Sequence, residues 1–141
     1  MSEGATTVRL AMPAKAEYLI LVRLALSGIA REVPMSESAL ADLKLAVTEV
    51  CGNVVRHAYG DEPGEVRLTF DVTPDAIDVA VEDDGTGLTL EDVPDVVRID
   101  EEPAEAGMGL AIIRAVVDDL AVDGRDGAPG TVVRLSKRLS G

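Results

Sequence analysis

Three short runs in this chain carry side chains that could handle a charged ligand. The first is Glu49, Asn53 and His57, spaced i, i+4 and i+8, which on a helix share one face. A carboxylate and an amide one turn apart, bordering an apolar stripe, are either a hydrogen-bonded polar edge or the wall of a site. The second run is Asp83-Asp84-Gly85-Thr86-Gly87, directly after an alternating apolar segment. A carboxylate at a strand end can accept a hydrogen bond from an exocyclic amine, and glycines beyond it let backbone pass close to a flat ring. The same letters also make an ordinary Asp-Gly turn. The third run is Gly107-Met108-Gly109-Leu110, where a helical pattern starts. Free N–H groups and the positive end of a helix dipole suit a phosphate there, and two glycines equally suit a hinge. Thr131, following Gly130, brings a hydroxyl that can reach a ring edge or a buried water, or it is simply a β-branched strand residue.

Several chemistries are excluded. No Gly-Lys-Ser/Thr follows the glycines, so there is no Walker A loop, and no G-x-G-x-x-G follows a strand, so a Rossmann site is disfavoured. One cysteine, Cys51, gives neither an internal disulfide nor a cysteine pair for zinc. Acidic side chains outnumber basic ones by 26 to 13, a formal charge of −13 that repels nucleic-acid backbones and anionic lipid. Direct nucleic-acid or membrane-surface binding is therefore not expected. The first seven residues lack a basic region followed by an apolar run, and no apolar stretch approaches the roughly 20 residues that span a bilayer. A cytoplasmic setting is expected.

The elements that must hold these residues can be read from periodicity. With 141 residues, 47 % of them apolar and no long linker or repeat, residues 1–141 read as one domain. Only Tyr18, Tyr59 and Phe70 are aromatic, so Leu, Val, Ile and Ala must fill the core. Alternation predicts a strand at 7–12, an antiparallel hairpin at 66–72 and 77–82 with one wet face, and closing strands at 120–123 and 131–139. Spacings of three and four predict helices at 15–32, 36–59 and 109–120, with Ser36 as an N-cap. Along the second helix the core stripe is Leu40, Leu43, Val47, Val50, Val54 and Ala58, with Asp42 and Lys44 assigned to its solvent side. Residues 85–107 hold no period and read as an irregular, functional or mobile segment. Strands that cluster rather than alternate with helices give an α+β two-layer sandwich, not a doubly wound fold.

Taken in order, these runs resemble one family. Residues 49–59, Glu-Val-Cys-Gly-Asn-Val-Val-Arg-His-Ala-Tyr, are similar to the N-box of the RsbW-type anti-sigma factor serine kinases, within the GHKL superfamily. Asp83 to Gly87 resembles their first glycine box, Gly107 to Leu110 their second, and the segment from Met12 through Arg23 to Gly28 their opening strand and helix. The resemblance covers nearly the whole chain. It implies a Bergerat-type ATP-binding fold, a mixed, mostly antiparallel sheet covered on one face by about three helices, with residues 88–106 as the ATP lid. It implies a kinase that sequesters a sigma factor and phosphorylates an anti-anti-sigma (STAS-type) partner on serine, and a homodimer. The alternative is an ATP-binding anti-sigma interaction module with little or no kinase activity.

By the same resemblance, Glu49 is the general base and Asn53 the ligand of Mg²⁺. Asp83 holds the adenine amine with Thr131 in support, Gly85 and Gly87 admit the base, and the N–H groups around Gly107, Met108, Gly109 and Leu110 cradle the phosphates. Some relatives carry an arginine near the lid's end, where this chain has Glu105 and Ala106. Arg98 is the only arginine of the lid and is left to meet the phosphates. As the only histidine, His57 lies inside the helix and reads as a pocket or packing residue, not a phosphorelay histidine.

Overall fold

The structure, a computed structural model, describes residues 6–58, 63–85, 105–124 and 130–139, with backbone alone at 57, 58, 105–110 and 124. Among these residues, five strands form one sheet: β1 (Thr6–Pro13), β2 (Glu65–Val72), β3 (Ala76–Asp83), β4 (Asp119–Gly124) and β5 (Thr131–Arg138), in the order β1-β2-β3-β5-β4. Its four pairings are all antiparallel, so the mixed sheet expected from the resemblance is antiparallel throughout the described residues.

The register explains the alternation. Leu10, Leu68, Val81, Val133 and Val122 form one row across all five strands, and Val8, Phe70, Val79, Leu135 and Leu120 form the next. Phe70, Leu68, Val79 and Val81 are all but fully buried, whereas Asp71 and Asp78 on the other face are exposed. Each such side chain withdrawn from water is worth about 1.5–3 kcal/mol, which pins the register, since a one-residue slip would turn every row outward.

Among the described residues, three helices cover the apolar face, as the α+β sandwich requires. They are α1 (Leu19–Ala30), entered through a 3-10 turn at Ala16–Tyr18, α2 (Glu37–Asn53) and α3 (Glu105–Val116). The middle helix, α2, packs on α1, on α3 and on strands β3 and β5. Its start is capped as expected: the Ser36 hydroxyl accepts from the Ala39 N–H at 3.0 Å, which satisfies one otherwise orphaned donor. Leu43, Val47 and Val50 are buried, the stripe anticipated from the sequence.

Four expectations need correction. The regular helix does not run to 59: α2 ends at Asn53 and continues as a π turn over Val54–Ala58. The third helix begins at Glu105, not Gly109, because Ala111 and Ile113 bury against the rest of the core and hold a glycine-rich first turn that propensity alone disfavours. It also ends at Val116, before β4. Asp42 and Lys44 do not lie on a solvent side; both are half-buried. Asp42 meets Lys137 of β5, whose Nζ donates to Asp42 Oδ2 at 3.1 Å and to the Val116 carbonyl at 2.7 Å. Among the described residues, no helix is long and apolar enough to cross a membrane.

Candidate functional site

The core of a small domain tolerates few polar side chains, because each must find partners that replace water. Among the described residues only three polar or charged side chains are buried: Asn53 at 3 % exposure, Asp83 at 3 % and Thr131 at 4 %. All three belong to the set singled out from the sequence. Asp83 and Thr131 are partners in the β3–β5 ladder, so these two sit side by side at one end of the sheet.

Asn53 closes the last regular turn of α2. Its Oδ1 accepts from Arg56 Nη2 at 2.7 Å, while its Nδ2 is buried without a hydrogen-bond partner among the described residues. An unpaired buried donor costs about 1–3 kcal/mol, and Thr48 Oγ1 on the same helix is likewise buried without a partner among the described residues. Arg56 Nη2 also lies 4.0 Å from Glu49 Oε2, so one guanidinium faces both the carboxylate and the amide oxygen. Glu49 is about one-third exposed. The amide oxygen of Asn53 is a hard donor of the kind Mg²⁺ takes, and the Arg56 guanidinium bonded to it competes with a cation for that place. Among the described residues no three His, Cys, Asp or Glu side chains gather as metal ligands, so a cation at Asn53 would depend on oxygens from a nucleotide.

The strand end at Asp83 is fixed from three sides. Asp83 Oδ1 accepts from the Gly85 N–H at 2.9 Å, closing a turn on itself. Gly130 sits directly over it with φ +119°, and a Cβ there would fall 2.1 Å from the Asp83 carbonyl oxygen, so only glycine fits. Next to it, Asp84 is gripped by Arg67 of β2, whose Nη1 and Nη2 donate to its two carboxylate oxygens at 3.0 Å each. Arg67 also lies 3.4 Å from Glu65 and 3.5 Å from Glu82, and these acids, Asp84 first, push its pKa further up.

Gly107, Met108, Gly109 and Leu110 fall in the first two turns of α3, with Gly107 in the first, where N–H groups are free of helical partners. Gly87, Arg98 and nearly all of the lid lie outside the described residues, as does the side chain of His57. Sequence reading missed three residues: Arg56, Arg67 and the packing role of Gly130. Arg56 was detectable, since i+7 from Glu49 and i+3 from Asn53 is the same helical face. Cys51, between them, is wholly buried, and burial pushes its thiol up to about 12, which leaves it inert.

The histidine kinase-like ATPase domain family matches this chain over residues 12–137. A serine-protein kinase RsbW of Bacillus cereus is 30 % identical over 128 residues, covering 86 % of this chain and 80 % of its own, and that of Bacillus mycoides matches to the same extent. Among solved structures, the RsbU and RsbW domains of a Mycobacterium tuberculosis protein superpose with a TM-score of 0.69 at 22 % identity, over 95 % of this chain and 32 % of that longer one. The catalytic domain of the histidine kinase ThkA superposes with a TM-score of 0.57 at 15 % identity, over 94 % of this chain and 99 % of that one. These two likenesses establish the shared fold. The chain belongs to the histidine kinase-like ATPase family, among its RsbW-type serine-protein kinases.

Proposed function

We propose that this chain is an anti-sigma factor that sequesters a sigma factor and transfers the γ-phosphate of ATP to a serine of an anti-anti-sigma, STAS-type partner. The observation that carries the reading is the burial of Asn53, Asp83 and Thr131, the three polar side chains admitted to the core of the described residues. In the proposed site Asp83 accepts from the adenine amine, with Thr131 beside it in support. Gly85 and Gly87 leave room for the base. The free N–H groups of the first turn of α3, that of Gly107 among them, receive the phosphates, with Met108, Gly109 and Leu110 next along the helix, and residues 88–106, with Arg98, form the lid of a single domain.

Glu49 accepts the proton of the partner's serine hydroxyl as its oxygen attacks the γ-phosphorus and ADP departs. Asn53 Oδ1 is the protein's ligand for Mg²⁺, which supplies charge neutralisation on the phosphates when bound. Four residues of helix separate Glu49 from Asn53, about 6 Å, so one phosphate can be served by both. Such a reaction asks mainly for positioning and charge balance with one base at hand. The protein acts in the cytoplasm as a homodimer, in line with the resemblance.

The test is phosphoserine formation from labelled ATP and Mg²⁺ on a candidate anti-anti-sigma protein of the same genome. Glu49→Gln should slow transfer by roughly 10²- to 10⁴-fold while nucleotide binding persists. An unchanged rate would remove Glu49 from this role. Absence of transfer by the wild type, with ATP and sigma-factor binding intact, would favour the alternative of a binding module instead.

A further inference from the structure

A carboxylate that reads an adenine amine must be aimed, and Asp83 stands at a strand end where the ladder has just finished. Its pairing with Thr131 fixes the residue from one side and the Gly85 N–H fixes one carboxylate oxygen. The second contact depends on the path of the chain through Asp84, the central residue of that turn. Asp84 is exposed, and its side chain lies across the wet face of the sheet in a two-pronged pair with Arg67. Paired N–H donors at 3.0 Å on two oxygens fix the orientation of the carboxylate as well as its distance, which a single-point contact cannot do. The register accounts for the meeting: Arg67 is directly opposite Glu82, so Asp84 is its diagonal neighbour on the same face.

We infer that Arg67 is a positioning residue for nucleotide-base selection: by clamping Asp84 it holds the turn that aims Asp83 at the exocyclic amine of adenine. This rests on the reading of Asp83 proposed above and extends it to a residue that touches no ligand. Arg67 acts through geometry and through charge. It sets a positive charge among Glu65, Glu82 and Asp84, and without it those three carboxylates crowd the strand end beside Asp83.

The experiment compares dissociation constants for ATP and for inosine triphosphate, which carries a carbonyl where ATP has its amine, in the full-length wild type, Arg67→Gln, Arg67→Lys and Asp84→Asn. The wild type should prefer ATP by roughly 10²-fold or more. Arg67→Gln should narrow that ratio by roughly tenfold, the scale of losing a supporting contact. Arg67→Lys, with charge but no fork, should narrow it less. Asp84→Asn breaks the same clamp with less charge build-up and should match the glutamine variant, which keeps the test alive if Arg67→Gln does not fold. A merely structural role would weaken both nucleotides equally and leave the ratio untouched, and that result overturns the inference. A wild-type preference that survives in both Arg67→Gln and Asp84→Asn also overturns it. A wild type that binds the two nucleotides alike removes the reading of Asp83 itself, and the inference with it.

Discussion

Replacing Gly130 by alanine puts one methyl group against the backbone of the proposed base-binding turn. The new Cβ would lie 2.1 Å from the Asp83 carbonyl oxygen and 2.9 Å from the Asp84 Cα, and neither is a side chain that can rotate away. Alanine at φ +119° costs on the order of 1–3 kcal/mol before any clash is counted. Relieving the clash means parting β3 from β5 where Asp83 faces Thr131, at about 0.5–1.5 kcal/mol for each ladder hydrogen bond lost. The expected destabilisation is about 3 kcal/mol, a large share of the roughly 5–15 kcal/mol that holds a domain together. Urea denaturation reads that loss, and an ATP titration at a temperature where the variant stays folded should show binding weakened by roughly tenfold or more. Gly28 in α1 is the control: nothing lies within 4 Å of its Cβ position, so Gly28→Ala should be neutral or stabilising by up to about 1 kcal/mol. If Gly130→Ala unfolds within about 1 kcal/mol of wild type and binds ATP equally well, the close approach of these two strand ends is wrong.

Two further outcomes follow from pairs and burial elsewhere. Asp42→Ala leaves the Lys137 ammonium, 16 % exposed, with the Val116 carbonyl as its remaining described partner, and should cost about 1.5–3 kcal/mol in denaturation experiments; a loss below about 0.5 kcal/mol would mean solvent already serves that lysine. Cys51 couples stability to alkaline pH. Below pH 9 its thiol is protonated in both states, and between 9 and about 12 the unfolded chain loses a proton that the folded one keeps, so stability falls by roughly 1.4 kcal/mol per pH unit. Cys51→Ala should remove that slope between pH 9 and 10.5, and parallel curves for the two proteins would refute it.

Much of the fold could be read locally because burial and period coincide. The run Val66, Leu68, Phe70, Val72 alternates in sequence, and the same four residues are buried in the sheet. The boundaries that failed are those set by tertiary contacts. Gly107 and Gly109 argue against helix by propensity, yet Ile113 at 0 % exposure anchors a helix that extends back past both. Nothing near Asp42 announces Lys137, 95 residues away, because their meeting requires β5 to pass beneath α2. The buried polar side chains were legible because a carboxylate or amide bordering an apolar pattern is costly and so conspicuous. Arg56 and Arg67 were overlooked for the opposite reason: an arginine among polar neighbours looks like ordinary surface until the register or the helical face says what it touches.

The guanidinium of Arg56 already occupies the hydrogen-bonding position at Asn53 Oδ1, so the pair formed with Glu49 never waits as a bare anionic hollow. A metal ion that takes that oxygen meets a cation already on one of its two lone pairs, and where it displaces that resident the swap of a monovalent tenant for a divalent one changes the local charge by a single unit. The half-exposed arginine needs only to swing into water to vacate its seat, so loading becomes an exchange, not an insertion into a vacuum.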